Sequence, residues 1–287
     1  DCGFDRPKLD APAWQGEPLD GKSIVVYSEQ GLGDAIQFVR MIPPLAQMGA
    51  RVTFLCHPNL IRLFKPFSQY AEIVASCDGG RRFDFQCALM SVPKDLGVGI
   101  DSIPGTVPYL VPEEARAASW RERLGEKDFK VGIGWQGNPR GAIDKGRSVP
   151  LQQFRPLSQV PGVRLISLQR THGLDQLDRL PSGMNVETLG AFDEGDDAFI
   201  DTAAIMENLD LVVTSDTATA HLAGALGRPA WVALKHVPDW RWMLDRSDTP
   251  WYPTVRLFRQ NARGRWEGVF SAMAEALREL MQSRRTA

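Results

Sequence analysis

The stretch LDLVVTSDTATAHLAGALGRPAWVALKH, residues 209–236, decides how the chain folds. Leu211-Val212-Val213 has the unbroken apolar character of a strand buried on both faces. Asp216-Thr217-Ala218-Thr219 is a polar loop of helix-capping residues, and the small side chains of 220–226 suit a tightly packed helix. Gly227 ends that helix, and Trp231-Val232-Ala233-Leu234 returns as a strand. This is a βαβ unit with Asp216, Thr217 and His221 gathered where the strand ends and the helix begins. Free backbone N–H groups and the helix dipole favour a phosphate at such a point. The carboxyl edge of an open parallel sheet is also where ligands bind. The segment therefore predicts an anionic, nucleotide-like ligand.

The first half repeats the same grammar. Lys22-Ser23-Ile24-Val25-Val26-Tyr27 reads as a strand, residues 28–34 as its loop, and 35–48 as a helix that Pro43-Pro44 kinks or shortens. Further strands are expected at 51–56, 71–75 and 83–89, and a helix carrying Trp120 and Leu124 starts near Pro112. A fresh strand at 129–135 opens the second half, which continues with strands at 163–168 and 186–189 and ends in a helix over 266–282. Alternating strands and helices imply parallel sheets covered on both faces. The expected fold is α/β, with two Rossmann-like domains, 1–126 and 127–287, facing each other across a cleft.

Bulk properties are those of a globular protein of about two domains, with 287 residues, 43% hydrophobic and 24% charged. A net charge of −2 gives no sign of a nucleic-acid or membrane-surface binder. Cys2, Cys56, Cys77 and Cys87 have neither metal-type spacing nor the density of a disulfide scaffold, so reduced thiols in a cytoplasm are expected. No run reaches the roughly 18–20 apolar residues of a membrane span, and no signal-peptide pattern opens the chain. It starts with Asp1 and a polar, Pro-containing lead-in, and reads as a piece of a longer protein.

Two loops carry the candidate chemistry. Gly31-Leu32-Gly33-Asp34 sits at the first strand-to-helix turn. Asp34 there is either a first-turn acid favoured by the helix dipole or a general base for a hydroxyl nucleophile, with Glu29 a weaker competitor. Gly134-Trp135-Gln136-Gly137-Asn138-Pro139 leads into Asp144-Lys145-Gly146-Arg147-Ser148, whose Lys145 and Arg147 can neutralise a diphosphate or simply face solvent. Gln169, closing another strand, is a candidate for a base or ribose contact. His221 is either a phosphate donor or a packed core histidine, while His57, His172 and His236 are assigned only structural parts. Asp239-Trp240-Arg241-Trp242 and Trp251 form an aromatic-rich stretch suited to sugars, bases or domain packing. Zinc-hydrolase and P-loop signatures are absent from the sequence.

Together these residues resemble a known family, the inverting GT-B glycosyltransferases close to the lipopolysaccharide heptosyltransferases. More narrowly, the chain is similar to the catalytic region of bacterial tetratricopeptide-repeat glycosyltransferases, whose layout is like that of O-GlcNAc transferase. The marks are EQGLGDAIQFVR (29–40), PYL (108–110), VGIGWQGNP (131–139), RSVPL (147–151), SLQ (167–169), the stretch 201–234, and DWRWMLDRSDTPWYPTVRLFRQ (239–260), and the resemblance runs from about 14 to 266.

The resemblance implies metal-independent transfer of a sugar, with inversion, from a nucleotide-sugar to an acceptor hydroxyl on a protein or a glycan or lipid. It implies no cofactor beyond that co-substrate. Asp34 falls on the proposed base, and Asp216, Thr217 and His221 on the donor-binding motif. Lys145 or Arg147 falls on its basic residue, and Gln169 joins the donor set. Gly33, Gln37, Asp239 and Trp240 are assigned to acceptor or sugar contacts. Ala218 stands where the family has Gly, which narrows the space beside the donor and argues against ADP-heptose itself. An N-terminal tetratricopeptide-repeat domain of the same protein is the implied partner. A non-catalytic nucleotide-sugar or glycan-binding module and a nucleotide-sugar epimerase are the alternatives on the same plan.

Overall fold

The computed structural model describes residues 9–77, 80–140 and 144–286; Cys2 and the first residues of the lead-in lie outside these. One sheet holds β1 (Ser23–Tyr27), β2 (Arg51–Leu55), β3 (Ala71–Val74) and β4 (Phe85–Ala88) in the order β3-β2-β1-β4. The other holds β5 (Phe129–Gly134), β6 (Val163–Ser167), β7 (Leu211–Ser215), β8 (Ala230–Leu234) and β9 (Val255–Arg259) in the order β6-β5-β7-β8-β9. Every pairing between these strands is parallel, with Val26 opposite Phe54 in the first sheet and Ile133 opposite Val213 in the second. The helices are α1 (Leu32–Phe38), α2 (Ile42–Gln47), α3 (Val92–Asp95), α4 (Glu114–Leu124), α5 (Arg155–Ser158), α6 (Ile200–Glu207), α7 (Ala218–Ala225) and α8 (Glu267–Thr286).

Each strand order contains one reversal, between β1 and β4 in the first sheet and between β5 and β7 in the second. Loops leaving the carboxyl ends of two strands that wind in opposite directions splay apart, and ligands bind in the crevice between them. Asp34, in the first turn of α1, follows β1, and Asp216 follows β7, so both stand at these switch points. β7 is buried over its whole length, as its Leu-Val-Val-Thr-Ser sequence requires of a central parallel strand.

One apolar core runs through both halves. Phe38 from α1 meets Trp251 of the second half edge-on, with ring centroids 5.5 Å apart. A separate core lies on the α8 side of the second sheet, where Phe154 and Phe270 are 4.5 Å apart. α4, assigned by sequence to the first domain, packs on α6 of the second half. There Trp120 Nε1 and Arg116 both donate to Asp201, at 3.0 and 2.7 Å, and Asn208 Nδ2 donates to the Ala117 carbonyl. No helix among the described residues is long and apolar enough to cross a membrane.

The helix expected over 35–48 is interrupted, as Pro43-Pro44 implied, into α1, a 3-10 turn at Val39–Met41, and α2 with proline in its first turn, because the two prolines lack the N–H donors a continuous helix needs. Two local expectations are corrected. The expected strand at 186–189 is a single bridge between Ile166 and Glu187, since the chain turns away at Gly190, which has a φ of 70°. α7 begins at Ala218, two residues ahead of the expected start, with Thr217 as its extended N-cap.

Candidate functional site

The ends of α1 and α7 meet. A Cβ on Gly33 would lie 3.0 Å from His221 Cδ2 and 3.2 Å from Ala218 Cα, so glycine is what lets the two helix starts approach this closely. Around this contact stand side chains from both halves.

Asp34 occupies the first turn of α1. Its Oδ2 accepts from the N–H of the N-cap residue Gly31 at 2.8 Å, which fits the first-turn acid expected there. Its Oδ1 pairs with Nη2 of Arg241, a residue 207 positions along the chain. Arg241 is buried, and its other donors are also engaged: Nε donates to Gln37 Oε1 at 2.7 Å and Nη1 to Asp239 Oδ1 at 2.8 Å. Asp239 also caps the short turn Trp240–Trp242, accepting from the Arg241 N–H at 3.1 Å. The guanidinium lies between the rings of Phe38 and Trp240, at 5.7 and 4.9 Å. The buried Nε2 of Gln37 has no partner among the described residues.

His221 is buried in α7. Its Nδ1 is 3.0 Å from the Tyr252 hydroxyl and its ring stacks on Trp242, with centroids 5.3 Å apart. Burial first, then the charges of Arg241 and Arg147, push its pKa down to about 3, so the ring is neutral at ordinary pH. Burial raises Tyr252 well above the usual phenol range and Tyr109 to about 12, keeping both hydroxyls protonated. Asp216 is buried too. Burial pushes its carboxyl above the usual carboxylate range, against the indole of Trp242 and the charge of Arg147. Thr217 Oγ1 leans on the Ser215 carbonyl at 3.4 Å, and the buried Ser215 hydroxyl has no partner among the described residues.

The loop after β5 forms the adjoining wall. Gln169 clamps it, with Oε1 accepting from the Trp135 and Gln136 N–H groups at 3.0 Å each and Nε2 donating to the Gln136 carbonyl at 2.7 Å. The Gly137 N–H donates to Ser148 Oγ at 3.2 Å, and Ser148 donates to Asp144 at 2.7 Å. Arg147 is paired with Asp144 at 3.5 Å. A Cβ on Gly137 would sit 2.7 Å from Arg147 Nη2 and 3.4 Å from Thr217 Cγ2, which sets this guanidinium beside the α7 loop.

The structure thus brings together Gly33, Asp34, Gln37, Arg147, Asp216, Thr217, His221 and Asp239. It does not bring in Lys145, which is exposed and whose carbonyl accepts from Lys235 Nζ. Gln169 holds backbone through both ends of its amide, which leaves one Nε2 hydrogen for the base or ribose contact expected of it. Trp240 stands at the rim, 59% exposed. Glu29 is half-buried, and its charge is felt by Cys87 in β4. Arg241 and Tyr252 are the members that sequence reading missed. The one signal for Arg241 was its place between two tryptophans directly after Asp239. Among the described residues no group of three His, Cys, Asp or Glu is disposed to hold a metal ion.

No family model matches the chain. Over 97% of its length it is 29% identical to protein FlbA of Caulobacter vibrioides, and it spans about half (50%) of that relative. Among solved structures it is similar to the ADP-heptose lipopolysaccharide heptosyltransferase II of E. coli, with a TM-score of 0.63 at 14% identity, covering 92% of this chain and 99% of that one. A family 9 glycosyl transferase from Veillonella parvula superposes with a TM-score of 0.59 at 13% identity, covering 86% and 88%. The E. coli heptosyltransferase WaaC with ADP-2-deoxy-2-fluoro heptose gives 0.55 at 12% identity, covering 91% and 99%. At these identities the likeness is one of architecture: two parallel Rossmann-like sheets in the GT-B arrangement.

Proposed function

We propose that the chain is an inverting glycosyltransferase that moves a sugar from a nucleotide-sugar to an acceptor hydroxyl on a protein or glycan, with no metal and no further cofactor. The observation that carries this reading is the close approach of Gly33, next to Asp34 at the switch point of one sheet, to Ala218 and His221 at the start of α7, which follows the switch point of the other. In the proposed reaction the acceptor oxygen attacks the anomeric carbon as the bond to the diphosphate breaks. Asp34 takes the acceptor proton. Negative charge builds on the departing diphosphate, and the α7 N–H groups, Arg147 and the His221 ring stabilise it. His221 does so as a neutral hydrogen-bonding group, since its pKa lies near 3. Gly33, Gln37, Asp239 and Trp240 line the sugar and acceptor side. A tetratricopeptide-repeat domain preceding this chain in the same cytoplasmic protein is the proposed presenter of the acceptor.

The test is transfer or release of nucleoside diphosphate from nucleotide-sugars by the wild type and by Asp34→Asn. The expected result is turnover in the wild type and a loss of roughly two to four orders of magnitude in the variant. Wild-type turnover in Asp34→Asn would remove the base assignment. A second reading, a module that binds nucleotide-sugar without transferring it, is favoured by the pairing of Asp34 with Arg241. It is separated from the first by nucleotide binding without turnover for any acceptor.

A further inference from the structure

The cations that reach the proposed donor site are already neutralised. Arg147 is paired with Asp144, and Arg241 with Asp34 and Asp239. Both guanidiniums nevertheless stand near the start of α7: Arg147 Nη2 and Thr217 Cγ2 flank the same face of Gly137, and Arg241 precedes Trp242, whose ring stacks on His221 with centroids 5.3 Å apart. A diphosphate arriving there adds negative charge to a buried neighbourhood that already holds Asp34, Asp144, Asp216 and Asp239. Such a ligand is neutralised only where a guanidinium gives up a carboxylate for a phosphate oxygen. Arg241 is the better placed of the two to matter for chemistry, because the carboxylate it would give up is Asp34.

Resting on the donor-site reading above, we infer that Arg241 is shared between Asp34 and the donor diphosphate, so that donor binding frees Asp34 to receive the acceptor proton. The two sites are then coupled through one side chain: the diphosphate draws the guanidinium towards α7, and Asp34 Oδ1 is released. Its Oδ2 stays fixed by the Gly31 N–H, which keeps the carboxylate in place during the exchange. Gln37 and Asp239 steady the rest of the guanidinium. Donor binds before acceptor on this account, because the carboxylate is occupied until the diphosphate arrives. Arg241 is in this sense a positioning residue for the base and a binding residue for the leaving group.

The exchange has a signature that a structural pin lacks. Asp34→Asn removes the competitor for Arg241, so ADP, UDP or GDP, whichever binds the wild type, is expected to bind this variant roughly 5- to 150-fold more tightly in calorimetric titration at fixed salt. Arg241→Gln is expected to weaken the same nucleotide roughly 10- to 100-fold, the scale of one or two hydrogen bonds to a charged group. In the double variant the gain from Asp34→Asn is expected to vanish. Should Asp34→Asn fail to fold, Asp239→Asn keeps the capping oxygen while removing one charge from the guanidinium, and is expected to tighten binding in the same direction. Unchanged or weaker binding in the folded aspartate variants would overturn the exchange while leaving the donor site standing. Absence of binding by every nucleoside diphosphate to the wild type and to the aspartate variants would overturn the donor site and the exchange together.

Discussion

His221 lies in the first turn of α7 with Nδ1 against the Tyr252 hydroxyl and its face on Trp242, and its pKa is about 3 where an exposed histidine has 6.5. The depressed value has a consequence for stability. Between those two values the unfolded chain binds a proton that the folded chain refuses, so this residue's contribution is complete above pH 6.5 and is lost as pH falls. Asp216, with its carboxyl raised by burial, acts in the opposite sense, so the effect is isolated by difference. In denaturant unfolding, wild type is expected to exceed His221→Gln in stability at pH 7.5, and the gap to shrink at pH 5.5 by on the order of 1 kcal/mol. A gap independent of pH would mean that the imidazole is not held neutral. At this scale the sequence exposed Asp34, Asp216, Thr217 and His221, because each stands beside a strand end that its neighbours announce. It concealed Arg241, whose partners Gln37 and Asp34 are 204 and 207 positions away.

The contact between α1 and α7 is set by two small residues, Gly33 and Ala218. A methyl group at 33 would meet backbone at 3.2 Å and the His221 ring at 3.0 Å, and neither helix start is free to give way without disturbing the pairings of Asp34. Gly33→Ala is therefore expected to destabilise by about 1–3 kcal/mol, despite alanine's better helix propensity. A shift of the urea midpoint at unchanged slope measures it, and an unaltered or higher midpoint would show that the two elements slide apart easily. The βαβ units around these helices were legible because buried parallel strands are continuous apolar runs. β9 and α6 were not picked out as elements. Val255–Arg259 mixes arginine with apolar residues over five positions, and Ile200–Glu207 is capped from a distance, by Asp193 Oδ1 on the Asp201 N–H at 2.5 Å.

Across the whole molecule, a second buried cation besides Arg241 ties the halves together. Arg40 donates to the carbonyls of Pro104 at 2.6 Å and Trp251 at 2.8 Å and to that of Gly105, and its guanidinium lies 4.7 Å from the Tyr109 ring centre. Arg40→Met would leave three acceptors without their donor, and a loss of about 3 kcal/mol or more is expected in denaturant unfolding. Arg40→Lys is expected to recover less than half, because one ammonium cannot reproduce the planar fork. A cost below about 1 kcal/mol would show that water replaces the guanidinium. A nucleotide-sugar donor seated at the start of α7 would stabilise the folded chain, so thermal unfolding with UDP-, GDP-, ADP- and CMP-sugars checks for it. The expected result is a melting temperature that rises with the concentration of at least one of them in the wild type, and a rise reduced or lost in His221→Ala. No rise with any nucleotide-sugar, or the same rise in both proteins, would contradict it.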